Sequence, residues 1–215
     1  MPDTDDRWCL VVPVKRLALA KTRLIPAYAM HRRELALAFA LDTTRAALAA
    51  DAVRAVVVVT DEPEVADLLA AAGADVVADE PDAGLNPALV HGAAAARAAH
   101  PGSAVGALSA DLPALRPDEL GRALEQALVH ERSFVRDADG GGTTLVLART
   151  RAAFRPTFGP GSARRHAAAG FAEILGDDIP SVRQDVDTID DLAAARLLGL
   201  GPQTSRLLAG IREVG

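Results

Sequence analysis

Short runs of β-branched and aliphatic residues alternate along the chain with longer stretches rich in Ala and Leu. The short runs are typical of strands that helices cover on both faces, and the longer stretches are typical of helices. The pattern predicts strands at 8–14, 54–60, 74–78 and 104–109, and helices at 31–50, 63–72 and 87–99. Right-handed crossovers through these helices would make the four strands parallel. The fold class is therefore α/β, with ligands expected at the carboxyl ends of the strands.

The pattern changes after Asp111. It predicts a helix at 117–130 and then two strands, 133–137 and 143–149, separated by a glycine turn, which is typical of a hairpin. Further elements are a short helix from Ser162, a last strand at 181–186, a helix from Thr188 and a C-terminal helix to about Glu213. We expect a single domain over 1–215 with a mixed, mostly parallel sheet flanked by helices. The inserted hairpin would form a lid or a dimer contact.

The amino-acid composition argues against several classes of protein, among them membrane proteins and nucleic-acid-binding proteins. Charged residues interrupt every apolar block before the ~20 residues that a membrane span needs, and the acidic N-terminus does not resemble a signal peptide, which predicts a cytoplasmic protein. A net charge of −6 and an aromatic content of 3% do not favour nucleic-acid binding. The single cysteine, Cys9, excludes an internal disulfide and a multi-cysteine zinc site, and its apolar neighbours predict a buried thiol.

Three cations occupy the loop that follows the first predicted strand: Lys15, Lys21 and Arg23. At the carboxyl edge of the sheet such a loop could bind phosphates by charge and by the forked geometry of arginine. A solvated basic loop is the alternative. The loop lacks the glycine patterns of a P-loop and of a dinucleotide-binding turn, so it supports neither of those classes.

Carboxylates follow two of the predicted strands. Asp111 comes directly after the fourth strand, where an α/β enzyme could hold a divalent metal; the alternative is a turn or capping role. Asp185 and Asp187 alternate at the end of the last predicted strand, which would place them on one face. Asp191 lies three residues after Thr188, a spacing typical of a capping box at a helix start.

Glycine-containing segments supply the other candidates. Thr144 follows a triple glycine, and Gly159 and Ser162 belong to a loop that two arginines follow, a combination that could hold a small phosphorylated anion. The triple glycine could also be a hairpin turn only. Gly84 and Asn86 could approach a nucleobase or ribose, although a helix-entry turn explains them almost as well.

No residue pattern typical of nucleophilic catalysis or of an HExxH zinc site is present in the sequence. The five histidines are scattered, and of these His91 and His166 could be pocket residues.

Five motifs follow one another between about Trp8 and Leu198: a PVK…AKTRL loop, an ADLP strand end, a GGTT turn, an FGPGS loop and a DVDT segment. In this order they resemble the guanylyltransferase family of coenzyme F(420) biosynthesis. That family has the nucleotide-diphospho-sugar transferase fold and is related to molybdenum-cofactor guanylyltransferase. The glycine-rich nucleotide loop usual in the superfamily is replaced here by residues 13–23, as in this branch.

The resemblance implies the roles of the candidate residues. Mg²⁺ would bind to Asp111 and Asp187, with Asp185 as a second candidate for the latter role. The phosphorylated acceptor would bind to Thr144, Gly159 and Ser162. The phosphates of GTP would contact Lys15, Lys21 and Arg23, with Gly84 and Asn86 near the guanine or ribose.

The resemblance also implies the reaction, which is transfer of GMP from GTP to a small phosphorylated acid with release of pyrophosphate. The acceptor phosphate is already ionised at neutral pH and needs no general base, which agrees with the missing catalytic histidine or cysteine. In the family the acceptor is 2-phospho-L-lactate in archaeal members and phosphoenolpyruvate in actinobacterial-type members, and the Ala- and Arg-rich composition is typical of the latter kind. The resemblance therefore implies phosphoenolpyruvate as acceptor, with 2-phospho-L-lactate as the alternative. Another small-phosphate nucleotidyltransferase and a non-catalytic nucleotide-binding protein are the competing interpretations, and a homodimer is plausible.

Overall fold

A seven-stranded mixed sheet forms the centre of the protein. The computed structural model describes residues 7–14, 28–80 and 82–211. The sheet order is β3-β2-β1-β4-β6-β5-β7. The strands are β1 Trp8–Pro13, β2 Val53–Val59, β3 Asp75–Val77, β4 Ala104–Leu108, β5 Arg132–Arg136, β6 Thr143–Ala148 and β7 Ala172–Glu173. The first four are mutually parallel, β6 runs antiparallel to both β4 and β5, and β7 is parallel to β5.

Helices cover both faces of the sheet. They are α1 Arg32–Leu48, α2 Pro63–Ala71, α3 Leu85–Ala99, α4 Pro117–Ala127, α5 Ser162–Ala168, α6 Pro180–Arg183, α7 Ile189–Leu198 and α8 Pro202–Gly210, with a 3₁₀ turn at Ala29–His31. Side chains of β1 alternate between the two resulting cores. Leu10 and Val12 pack with α1 and α4 on one face, and Cys9 and Val11 pack with α3 on the other. Burial on both faces explains why the central strands are continuous apolar runs.

The structure confirms most of the predicted elements to within a few residues. The four predicted parallel strands, the three helices between them and the 133–137/143–149 hairpin are all present. The thiol of Cys9 is buried, and desolvation raises its pKa above the ordinary value. Among the described residues, no helix is long and apolar enough to cross a membrane.

Two predictions about the later part of the chain are wrong. Residues 181–186 are not a strand, because Pro180 occupies the first position of the short helix α6, where its fixed φ and missing N–H are tolerated. The hairpin is not a peripheral lid, because every residue of β6 is buried and the strand lies between β4 and β5. Its apolar side chains complete the sheet and both cores.

Candidate functional site

The carboxyl ends of the parallel strands and the start of β6 meet at one edge of the sheet. Beyond β1, the N–H of Val14 donates to Val59 O at 2.9 Å, and beyond β4, the N–H of Ser109 donates to Thr144 O at 2.8 Å. The second bond places the ADLP and GGTT motifs side by side. The predicted phosphate-binding residues Lys15, Lys21 and Arg23 lie outside the described residues.

Asp111 lies in a turn whose backbone is hydrogen-bonded to helix α1. The buried hydroxyl of Thr43 accepts the N–H of Leu112 at 3.1 Å and donates to Ala110 O at 3.3 Å, so that it holds the backbone on both sides of Asp111. The side chain of Asp111 itself is half-buried. Sequence reasoning missed Thr43, whose only signal is a polar residue within an otherwise apolar helix face.

The DVDT segment lies against this same turn. The N–H of Val186 donates to Asp111 O at 3.1 Å, which brings the segment at 185–187 beside Asp111 across 75 positions of sequence. Asp185 is half-buried and Asp187 is exposed. Because this segment is not a strand, simple alternation does not place the two carboxylates on one face. The contact with the Asp111 turn is made by the backbone of Val186, which lies between them.

The capping box predicted at the next helix is confirmed. The carboxylate of Asp191 accepts the N–H of Thr188 at 2.7 Å and that of Asp187 at 3.1 Å, while the Thr188 hydroxyl accepts the N–H of Asp191. Asp191 thereby holds the backbone of Asp187, and its own carboxylate serves as a capping group at the N-terminus of α7.

The donor set around Asp111 suits a hard divalent cation. Mg²⁺ is usually held by one or two carboxylates together with substrate phosphates and water, so a complete protein cage is not required. The carboxylates of Asp111, Asp185 and Asp187 are not gathered within 4.8 Å of one another in the described structure. Among the described residues these three side chains therefore do not form a three-carboxylate cage.

A separate acidic cluster lies at the ends of β2 and β3. Carboxylate oxygens of Asp61, Asp79 and Asp82 all lie within 4.8 Å of one another, a geometry able to accept a divalent cation. The carboxylate of Asp61 also accepts the N–H of Asp79 at 2.8 Å. Sequence reasoning missed this cluster, although it follows the same rule of carboxylates after strand ends that identified Asp111.

The triple glycine forms the turn between β5 and β6. The N–H of Gly142 donates to the Asp137 carboxylate at 2.7 Å, and a Cβ at this position would lie 2.2 Å from an oxygen of that carboxylate. Gly141 O accepts the N–H of Ala163 at 3.4 Å and so contacts the start of α5. Of the two interpretations of this segment, the structure supports the hairpin turn, which also helps to dock the following loop.

Thr144 occupies an irregularity in the sheet. Val135 pairs with Leu145 but the next residue, Arg136, pairs with Thr143, so Thr144 is the extra residue of a β-bulge. Bulges are common beside active sites, where they redirect a side chain. The Thr144 side chain is fully buried, and its hydroxyl has no hydrogen-bond partner among the described residues. A ligand atom that accepted a hydrogen bond from this hydroxyl would remove the free-energy cost of burying it without a partner.

The loop at 157–161 and the start of α5 close the site on the side of β6. Gly159 and Gly161 have φ values of 120° and 71°, in the region that favours glycine. Ser162 is 1% exposed, and its hydroxyl donates to Thr143 Oγ1 at 3.0 Å. The guanidinium of Arg165 donates to Thr157 O and Pro160 O, so it holds the loop from within.

His166 is the buried centre of this region. Its ring lies 5.7, 5.8 and 5.4 Å from the rings of Phe134, Phe158 and Phe171, measured between centroids. Burial, with a smaller contribution from the positive charge of Arg165, lowers the pKa of His166 to about 4. The imidazole is therefore neutral at physiological pH.

Asn86 joins the start of α3 to the 157–161 loop. Its side-chain oxygen accepts the N–H of Phe158 at 2.8 Å and its amide nitrogen donates to Phe158 O at 3.2 Å. The amide thus pairs with the main chain of Phe158 in the manner of a neighbouring strand. Nearby Gly84 has a φ of 104°, and a Cβ added to it would lie more than 4 Å from the atoms of the described residues.

Replacing Asn86 with Ala is expected to lower the free energy of unfolding by about 2 kcal/mol, because it leaves both main-chain groups of Phe158 without a partner. Urea unfolding of the two proteins measures the change. Thr150→Ala is a matched control, since it removes an exposed hydrogen bond to Gly102 O, and its effect should stay below about 0.5 kcal/mol. Equal effects of the two substitutions would contradict a structural role for the Asn86 pairing.

Comparison of the sequence with known protein families gives a match over residues 8–212 to the sequence model of the CofC-like guanylyl transferase family. A curated phosphoenolpyruvate guanylyltransferase from Thermomonospora curvata is 58% identical over 207 residues, covering 96% of this chain and 91% of the relative. A phosphoenolpyruvate guanylyltransferase from Streptomyces coelicolor is 53% identical over 210 residues, covering 97% of this chain and 99% of the relative.

A solved structure supports the fold independently. A nucleotide-diphospho-sugar transferase from Desulfovibrio desulfuricans G20 superposes with a TM-score of 0.68 at 17% identity, covering 94% of each chain. At this identity the likeness concerns the fold alone. The family match and the identity to the curated relatives show that the chain belongs to the family of CofC-like guanylyl transferases.

Proposed function

We propose that the protein transfers GMP from GTP to phosphoenolpyruvate, forming enolpyruvyl-diphospho-5'-guanosine and pyrophosphate, as a step of coenzyme F(420) biosynthesis. The observation that carries the proposal is the identity of 50% or more, over nearly the whole chain, to several relatives named phosphoenolpyruvate guanylyltransferase. The site geometry supports it, because the structure joins the ADLP turn to both the DVDT segment and the GGTT strand.

The reaction requires two anions to be aligned and their charge neutralised. An oxygen of the acceptor phosphate attacks the α-phosphorus of GTP, the bond from that phosphorus to the bridging oxygen breaks, and pyrophosphate leaves. Bound Mg²⁺ would supply charge neutralisation on the reacting phosphates, held by Asp111 and Asp187 with Asp185 as the second candidate. No side chain needs to remove a proton, since the attacking oxygen is already ionised.

The remaining roles follow the position of each residue. Thr144, Gly159 and Ser162 would hold the acceptor, with the buried Thr144 hydroxyl donating to one of its oxygens. Gly84, directly before α3, would lie near the guanine or ribose of the nucleotide. Asn86 would act on the site through Phe158, because both ends of its amide are bonded to that residue's main chain. Lys15, Lys21 and Arg23 remain the candidates for the phosphates of GTP.

Pyrophosphate release tests the proposal directly. Pyrophosphate release by the purified protein with Mg²⁺ and GTP is measured in three reactions, which contain phosphoenolpyruvate, 2-phospho-L-lactate or no acceptor. The products are identified by mass spectrometry. We expect release with phosphoenolpyruvate alone. Release only with phospholactate would overturn the acceptor, and release with CTP or ATP in place of GTP would point to another nucleotidyltransferase of this fold. The cytoplasmic location, the homodimer and the lack of a nucleic-acid partner stay predictions.

A further inference from the structure

The hydroxyl of Thr43 forms hydrogen bonds on both sides of Asp111. It donates to Ala110 O at 3.3 Å and accepts the N–H of Leu112 at 3.1 Å, and the Thr43 side chain is 0% exposed. A hydroxyl has one proton and two lone pairs, so it can make both bonds at once. Serine could make the same two bonds, whereas valine, which has the same shape as threonine, could make neither.

These contacts fix the direction in which the Asp111 side chain leaves the main chain. The two bonded groups belong to the two peptide planes that flank the Cα atom of Asp111, and each plane is rigid. The second plane is also held at its carbonyl, because Asp111 O accepts the N–H of Val186 at 3.1 Å. When both planes are fixed, φ and ψ of Asp111 are fixed as well, and so is the direction of its Cα–Cβ bond.

The two residues beside Thr43 in α1 are also buried and polar, but their side chains serve other purposes. The carboxylate of Asp42 accepts two backbone N–H groups at the start of α8, at 2.9 and 2.8 Å. Thr44 is 0% exposed, and its hydroxyl has no hydrogen-bond partner among the described residues. Of these three adjacent residues, Thr43 is the one whose side chain is hydrogen-bonded to the Asp111 turn.

We propose that Thr43 is a positioning residue for the divalent metal: by holding both peptide planes beside Asp111, its hydroxyl directs the Asp111 carboxylate towards the ion. This inference rests on the proposed function, in which Asp111 binds Mg²⁺. Removing an outer contact that orients a metal ligand typically changes metal affinity or activity by about 10- to 100-fold.

The substitution Thr43→Val would force the turn to move. A methyl group in place of the hydroxyl would face Ala110 O at 3.3 Å and the nitrogen of Leu112 at 3.1 Å, closer than the ~3.5 Å of an ordinary carbon contact. Both peptide groups would therefore shift away and lose their common partner. The orientation of the Asp111 side chain would change with them.

Binding of Mn²⁺ to the whole protein without nucleotide, followed by the EPR signal of the free ion, is the first test. We expect Thr43→Val to raise the Kd for Mn²⁺ about tenfold, and to raise the Mg²⁺ concentration for half-maximal turnover by a similar factor. The KM for phosphoenolpyruvate should stay within about twofold. Thr44→Val makes the same change at the next buried position and is the matched control, which should alter none of these values.

The conservative variant Thr43→Ser separates positioning from stability. It keeps the hydroxyl but loses a buried methyl group, so Tm should fall while the Kd for Mn²⁺ stays within about threefold of the wild type. A Kd that follows Tm across the Val and Ser variants would reduce Thr43 to a structural residue. If Thr43→Val does not fold, Thr43→Ala decides, and an unchanged Kd for Mn²⁺ in that variant would overturn the proposal.

A double variant tests whether Thr43 acts through Asp111. If it does, adding Thr43→Val to Asp111→Asn should cause no further loss of Mn²⁺ affinity or of turnover. Losses that multiply would show that Thr43 acts by another route, and they would overturn the proposal.

The metal measurements separate this inference from the function on which it rests. A wild-type protein that binds no Mn²⁺, or an Asp111→Asn variant that binds it as tightly as the wild type, would overturn the inference. Failure of the proposed function has a different signature: the wild type would release no pyrophosphate with phosphoenolpyruvate and GTP, although its Mn²⁺ binding still weakens in Thr43→Val.

Discussion

Asp111→Asn is expected to lower kcat with GTP and phosphoenolpyruvate by a factor of about 10³, because a carboxylate that holds Mg²⁺ contributes several kcal/mol of charge stabilisation in the transition state. The amide is nearly the same size but carries no charge. The fold should not suffer, since the turn is held through its backbone by Thr43 and Val186 and not through the Asp111 side chain alone. Single-turnover rates at saturating substrates measure the loss, and thermal unfolding checks the fold.

Matched acidic residues give the control for this substitution. Asp187→Asn should cause a loss of similar size, whereas Asp190→Asn, at an exposed position in the first turn of α7, should leave kcat unchanged. The Asp111→Asn variant should also lose its response to added Mg²⁺ over the range in which the wild type is activated. Full turnover in both the Asp111 and Asp187 variants would show that neither carboxylate is a metal ligand, and would favour the interpretation of the two residues as turn and capping groups.

Most of the fold was predictable because the local signals of the central strands and helices agreed with the final structure. The apolar runs that became β1, β2 and β4 are buried on both faces, which leaves a continuous pattern in the sequence. The prediction failed where local signals conflicted. Residues 181–186 were predicted to be a strand, but Pro180, directly before them, begins a short helix. β7 has only two residues, too few to leave any periodic pattern.

The candidate site was predictable only in part, since sequence shows which residues end strands but not what they contact. Asp111 and Thr144 were found by their positions at strand termini. Thr43 donates to Ala110 O across 67 positions, and Asn86 pairs with Phe158 across 72, contacts that exist only once the helices pack on the sheet. His166 was a candidate without a role, because its contacts with Thr143 and Thr157 depend on how the loop folds back over α5.

The substitution Thr144→Val should move stability and activity in opposite directions. The buried hydroxyl has no partner among the described residues, so replacing it with a methyl group of similar size should raise the free energy of unfolding by about 1 kcal/mol. If that hydroxyl donates to a charged oxygen of the acceptor, its loss should lower kcat/KM for the acceptor roughly 10- to 100-fold. Urea unfolding and initial rates with varied phosphoenolpyruvate measure the two effects on one preparation.

Two further variants serve as controls for the expected gain in stability and loss of activity of Thr144→Val. Thr204 in α8 also has a fully buried hydroxyl without a partner in the described structure, so Thr204→Val should stabilise the protein similarly while leaving the kinetics unchanged. Thr144→Ser keeps the hydroxyl and should retain most of the affinity for the acceptor. A stabilised Thr144→Val variant with wild-type kinetics would remove Thr144 from the acceptor site, whereas a destabilised one would mean that its hydroxyl already has a partner in the folded protein. The Thr144 hydroxyl is informative because it has no partner among the described residues: the folded protein would bear the cost of burying it, and a bound acceptor that took its hydrogen bond would relieve that cost.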